Sequence, residues 1–114
     1  MGLLSWLFGP KVDEVEVTEV HTLLAQGAAL IDVREPHEWA GGRIKEARLV
    51  PMGNLERELS KWRPDRPLLF ICRTGRRAAR ATDWARARGF KAMNVKGGMV
   101  QWTRSGLPVK SARR

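Results

Sequence analysis

Residues 68–89 restrict the fold more than any other part of this chain. Pro67 is followed by Leu68-Leu69-Phe70-Ile71, a short apolar run that predicts a buried strand. Cys72-Arg73-Thr74-Gly75-Arg76-Arg77 comes next, and then Ala78 to Arg88, rich in alanine and arginine and stopped by Gly89, which predicts a helix. A strand, a tight loop and a helix in that order aim successive backbone N–H groups into one concavity at the positive end of the helix dipole. The rest of the chain repeats the alternation. Val15-Glu16-Val17, Ala29 to Val33, Leu49-Val50 and Ala92 to Val95 read as further strands. Helices are expected from an N-cap at Thr18 to Gly27, from Pro36 through Trp39, from a cap at Asn54 to about Trp62, and after Gly97-Gly98. This order specifies an α/β fold: a largely parallel central sheet flanked by helices, with the Cys72 loop at the C-terminal end of a central strand. Ligands of open α/β sheets bind beyond the carboxyl ends of the strands, where Cys72 and Asp32 to Arg34 fall.

Cys72 is the only cysteine. A lone cysteine at a strand end can be a small apolar filler. Three arginines in the five positions after it favour a task instead, because they are costly to desolvate beside a core thiol. The dipole and the nearby charges favour a thiolate, the form that acts as a nucleophile, and the surrounding cations suit an anionic substrate. Arg73, Arg76, Arg77 and Arg80 are expected to draw such an anion in. Asp32, Arg34, Glu35 and Glu38 could be taken for an acid–base set, but a local ion-pair network that fixes the turn after a strand is the simpler expectation. Trp39, Trp62, Trp84 and Trp102 are expected to fill the core or cover helix seams rather than stack on bases. Gly97-Gly98 is expected to be a tight turn whose backbone approaches the Cys72 loop closely.

Composition narrows the function classes. At 114 residues, 43% of them hydrophobic, the chain is one domain with a core of its own. One cysteine excludes an internal disulfide framework and any multi-cysteine metal site, and His21 and His37 have no ligand spacing to it, so neither a metal nor a cofactor is expected. A free reactive thiol points to a reducing compartment, which makes the cytoplasm the expected location. Residues 1–71 hold 9 Lys/Arg against 11 Asp/Glu, a net of −2, whereas residues 72–114 hold 12 against 1, a net of +11. Few aromatics accompany that excess and no nucleic-acid motif appears, so anion steering is expected rather than nucleic-acid binding. The apolar stretch from Leu3 to Phe8 ends at Gly9-Pro10, far short of the roughly 20 residues of a spanning helix. It lacks the basic n-region of a secretory signal, and Trp6 stands where a myristoylation pattern requires Ser or Thr. Residues 1–14 are expected to form an arm outside the core, membrane contact being the weaker alternative.

Three segments carry a resemblance. Ile31-Asp32-Val33-Arg34-Glu35-Pro36-His37-Glu38-Trp39 is similar to the N-terminal signature of single-domain rhodaneses, the thiosulfate-type sulfurtransferases. Cys72 to Arg77 resembles their six-residue active-site loop, and Gly97-Gly98-Met99-Val100-Gln101-Trp102 with Gly106-Leu107-Pro108 resembles their C-terminal signature. The segments lie in family order, and the domain is expected over residues 15–110 with a basic tail at 111–114. Gly41-Gly42-Arg43-Ile44 departs from the family's more usual Gly-His-Ile at what should be a surface turn. The resemblance implies a rhodanese-like fold, Cys72 as catalytic nucleophile, and Arg73, Thr74, Gly75, Arg76 and Arg77 as the substrate-binding loop. Asp32, Arg34, Glu38, Gly97 and Gly98 then support that loop. It further implies transfer of a sulfane sulfur from a small anionic donor such as thiosulfate, through a persulfide on Cys72, to an external thiol, cyanide or a sulfur carrier. Arg73 directly after the cysteine resembles the thiosulfate-type loops. Two alternatives remain: a non-catalytic binding module on the same fold, and a cysteine phosphatase. The phosphatase signature places arginine six positions after the cysteine, where this chain has Ala78.

Overall fold

A computed structural model describes residues 14–111. The expected arm apart from Glu14, Trp6 and the membrane contact with it, and the tail after Ser111 lie outside the described residues. The chain runs through β1 (Glu14–Val15), a 3-10 turn (Val17–Glu19), α1 (Val20–Ala25), β2 (Ala29–Asp32) and α2 (Pro36–Trp39). It continues through β3 (Arg48–Leu49), a second 3-10 turn (Met52–Asn54), α3 (Leu55–Leu59), β4 (Leu68–Ile71), α4 (Arg76–Ala87), β5 (Ala92–Val95) and α5 (Gly98–Arg104). Five strands form one sheet in the order β1-β5-β4-β2-β3, and every pairing is parallel. Helices cover both faces, as the α/β reading requires.

Side-chain alternation along β4 decides where the cysteine points. Leu69 and Ile71 join Val20, Leu23, Met99 and Trp102 in the core under α1 and α5. Leu68 and Phe70 join Leu55, Leu59, Ala78, Ala81 and Ala85 in the core under α3 and α4. Cys72 continues the two-residue period and falls with Phe70, beneath the start of α4. The small residues Ala78, Ala81 and Ala85 recur at helical spacing and let α4 lie close on the sheet. Trp102 is fully buried and its indole N–H donates to the Pro108 carbonyl at 2.9 Å, which folds the C-terminal segment back onto α5.

Several expected boundaries move. The first helix is capped not at Thr18 but at Glu16, whose backbone N–H is met by the Glu19 carboxylate at 2.8 Å in a capping box around the 3-10 turn. That turn takes Val17 out of the expected strand. Asn54 holds the cap position of α3 without a side-chain hydrogen bond there, and the helix ends at Leu59 rather than near Trp62. β3 falls one residue earlier than expected, at Arg48–Leu49. α4 begins at Arg76, two residues before the alanine run. Of the four tryptophans expected to fill the core or cover helix seams, Trp102 is fully buried. Trp62 and Trp84 lie half-buried under the guanidinium groups of Arg48 and Arg88. Among the described residues no helix is long and apolar enough to cross a membrane.

Candidate active site

Cys72 leaves β4 at 1% exposure, and its sulfur lies at the start of α4. Two amides reach it: Gly75 N–H donates to Sγ at 3.1 Å and Ala78 N–H at 3.3 Å. A helix leaves its first N–H groups without intrahelical partners, so these donors are available wherever a helix begins over a buried atom. The amides of Arg73, Thr74, Arg76 and Arg77 donate to no backbone carbonyl among the described residues. The loop therefore has two N–H groups engaged by the sulfur and four more with no backbone carbonyl partner. Gly75 makes the reversal possible with φ at +108°, a conformation that side chains resist.

The loop carbonyls are drawn the other way. Met99 N–H donates to the Cys72 carbonyl at 2.8 Å and Val100 N–H to the Arg73 carbonyl at 3.1 Å. Both amides belong to the first turn of α5, so the start of one helix caps the loop that starts another. The contact depends on Gly98. Its φ is +58°, and a Cβ there would meet the Cys72 carbonyl oxygen and come within 2.6 Å of the Arg73 carbonyl oxygen. Gly97, at φ +78°, sends the chain into this turn. The close approach expected of Gly97-Gly98 is thus made chiefly by Gly98.

The residues after β2 support the loop rather than enter it. Asp32 is fully buried and Arg34 nearly so. Arg34 Nε and Nη2 donate to the Asp32 carboxylate at 2.8–3.1 Å, and the Arg34 backbone N–H donates to it at 3.0 Å. The remaining Arg34 donors reach the carbonyls of Gly42 at 2.9 Å and Glu38 at 3.3 Å, which ties α2 to the strand end. α2 carries a capping box in which the Glu38 carboxylate accepts the Glu35 N–H at 2.9 Å. Glu38 also receives Arg77 bidentately, at 2.8 and 2.9 Å. The Arg77 hydrogen bond chiefly, aided by the Glu35 N–H and against partial burial, lowers the Glu38 pKa from 4.5 to about 2. In turn, hydrogen bonding to Glu38 raises the Arg77 pKa. This ion pair staples α2 to the first turn of α4. Asp32, Arg34, Glu35 and Glu38 therefore form a structural network.

The arginines divide by position. Arg77 is committed to Glu38, whereas Arg73, Arg76 and Arg80 are exposed and make no ion pair among the described residues. Thr74 is exposed at the loop tip. A cavity of about 520 Å³ opens beside the loop, with Arg73 and Glu38 at one side and Met99, Val100, Thr103 and Val109 at the other. Three features escaped the sequence reading. The Ala78 amide follows once α4 is started at Arg76, but the Arg77–Glu38 staple and the apolar cavity wall join residues far apart in the chain with no local signal.

Residues 16–105 match the family model of the rhodanese-like domain. The chain belongs to the rhodanese-like family. Among relatives, a sulfurtransferase of Allochromatium vinosum is 32% identical over 101 residues, covering 86% of this rhodanese-like chain and 94% of the relative. The human thiosulfate:glutathione sulfurtransferase is 36% identical over 104 residues, covering 77% of this chain and 90% of its own. A solved rhodanese-related protein from Thermoplasma volcanium has a TM-score of 0.78 at 26% identity, over 85% of this chain and 96% of that one.

Proposed function

We propose that this protein is a sulfurtransferase that moves a sulfane sulfur from thiosulfate, or a similar small anionic donor, to a thiophilic acceptor by double displacement at Cys72. One observation carries the reading: the Cys72 sulfur accepts two amides of a loop in which four further amides have no carbonyl partner, and the carbonyls of Cys72 and Arg73 are taken by α5. The Cys72 thiolate attacks the outer sulfur of thiosulfate. The donor S–S bond breaks, its electron pair leaves on sulfite, and a persulfide remains on Cys72. The open amides of Arg73, Thr74, Arg76 and Arg77 then hold the negative charge of the terminal sulfur at no reorganisation cost. Arg73 and Arg76 guide the donor in, and Arg77 positions the loop through Glu38. With no second cysteine in the chain, an external thiol, cyanide or a sulfur carrier must remove the sulfur. The test is thiosulfate:cyanide turnover of wild type and Cys72→Ser. A hydroxyl is a poor nucleophile at neutral pH and forms no persulfide, so the variant should fold normally and retain less than about 1% of the activity. Retained turnover would refute the assignment.

A further inference from the structure

The half-reaction that discharges the persulfide needs an acceptor, and the surface around the loop has features that small thiols do not use. Cys72 is 1% exposed, so an acceptor sulfur has to be delivered on something slender. Beside the opening stand the exposed large hydrophobic side chains of the described residues, Val100 at 36% and Val109 at 41%, and both line the cavity that Arg73 borders. This wall is fixed in place. Arg43 and Lys110 exchange backbone hydrogen bonds at 2.9 and 2.7 Å, and Val109 rests on Gly42, where a Cβ would come within 2.8 Å of its Cγ1. Two exposed valines converging on one rigid cavity next to a reactive sulfur form an apolar socket. The cavity lining holds Arg34 and Glu38, each already in an ion pair, and leaves Arg73 as its exposed arginine. Arg73, Arg76 and Arg80 are exposed and without ion pairs among the described residues, Arg76 and Arg80 lying one turn apart on α4. Residues 72–114, which supply them, carry a net +11.

We infer that the acceptor is an acidic polypeptide that presents a cysteine on a protruding segment, with an apolar residue beside that cysteine seated between Val100 and Val109 and carboxylates facing Arg73, Arg76 and Arg80. The inference rests on the sulfurtransferase reading above. In the transfer step the acceptor thiol passes its proton to the terminal sulfur of the Cys72 persulfide, and the resulting thiolate attacks that sulfur. A new S–S bond forms on the acceptor, the Cys72 S–S bond breaks, and its electron pair returns to Sγ. The proton stays on the transferred sulfur, so the step needs no oxidant or reductant. Arginines steer the encounter and the socket sets its register.

The test separates the two half-reactions. Protein loaded with thiosulfate and freed of excess donor is offered synthetic peptides of the patterns Glu-Glu-Leu-Cys, Lys-Lys-Leu-Cys and Glu-Glu-Gly-Cys, and N-acetylcysteine, and discharge is followed by the mass of Cys72. The acidic leucine peptide should discharge the persulfide about tenfold faster than its lysine counterpart at low salt, and that advantage should shrink at high salt. It should also exceed the glycine peptide by about tenfold. Arg80→Glu should reduce or reverse the acidic-over-basic ratio, and Val109→Asp should abolish the leucine-over-glycine ratio. Because each readout is a ratio on one protein, general damage to the site cancels. Equal rates for acidic and basic peptides, or a rate with N-acetylcysteine matching the best peptide, would overturn the inference. A protein that takes up no sulfur on Cys72 would instead fail at loading, and the sulfurtransferase reading would fall with it.

Discussion

The turns that follow β2 and β4 begin side by side, since Asp32 and Ile71 are register partners in the sheet, yet they spend their polar groups in opposite ways. After β2 the buried charges are answered within the turn: Asp32 takes Arg34, and Arg34 takes the carbonyls of Glu38 and Gly42. After β4 the carbonyls are answered by α5 while the amides of Arg73, Thr74, Arg76 and Arg77 are left without carbonyl partners. A closed network holds shape, and a surplus of donors holds an anion. On the proposed mechanism one sheet end serves both tasks, with the Arg77–Glu38 pair as the strap between them.

The largest effect should come from breaking the closed turn. Asp32→Ala leaves the Arg34 guanidinium buried without its partner, and loss of one member of a buried pair costs about 3–5 kcal/mol. Denaturant unfolding should show that loss. A variant as stable as wild type would mean that Arg34 finds another partner. Next comes the open turn. Gly98→Ala forces a Cβ against the Cys72 and Arg73 carbonyls at positive φ, which should cost about 3 kcal/mol and abolish sulfur loading, because the carbonyls lose their α5 amides. Gly75→Ala carries conformational strain of its own at φ +108° but has nothing closer than 3.5 Å in its way, so about 1–2 kcal/mol is expected. Equal penalties at the two glycines would remove the special role assigned to the α5 contact.

The strap gives the smallest effect and a pH signature. The folded-state pKa of Glu38 is about 2 against an ordinary 4.5, so its contribution is complete above about pH 4.5 and disappears as the pH falls toward 2. Glu38→Gln should cost about 1 kcal/mol at neutral pH, since the pair is partly solvated. Its deficit relative to wild type should vanish by about pH 2. Stability curves that stay parallel through that window would contradict the pairing.

These contrasts also explain what the sequence revealed. Leu68–Ile71 was legible because a buried parallel strand is a continuous apolar run, and Ala92–Val95, interrupted only by Asn94, reads nearly the same; the observed limits of both coincide with the expected ones. Cys72 was singled out because its neighbours are too charged for a filler position, and the fold brings two amides to its sulfur. The cap at Glu16 was missed because Thr18 is the stronger capping residue by type, and the Glu19 carboxylate overrode that preference by closing a box. Glu38 was read as part of a turn network, and its second task became visible only when α4 placed Arg77 opposite it. Long-range pairs of this kind have no period and no local composition to betray them.

The central claim is that the open turn after β4 stabilises sulfur on Cys72, and intact-protein mass spectrometry tests it most directly. Protein exposed to thiosulfate and desalted should gain one sulfur atom, about 32 Da, mapped to Cys72, absent from Cys72→Ser and discharged by cyanide. An unchanged mass, or sulfur found elsewhere in the chain, would contradict it.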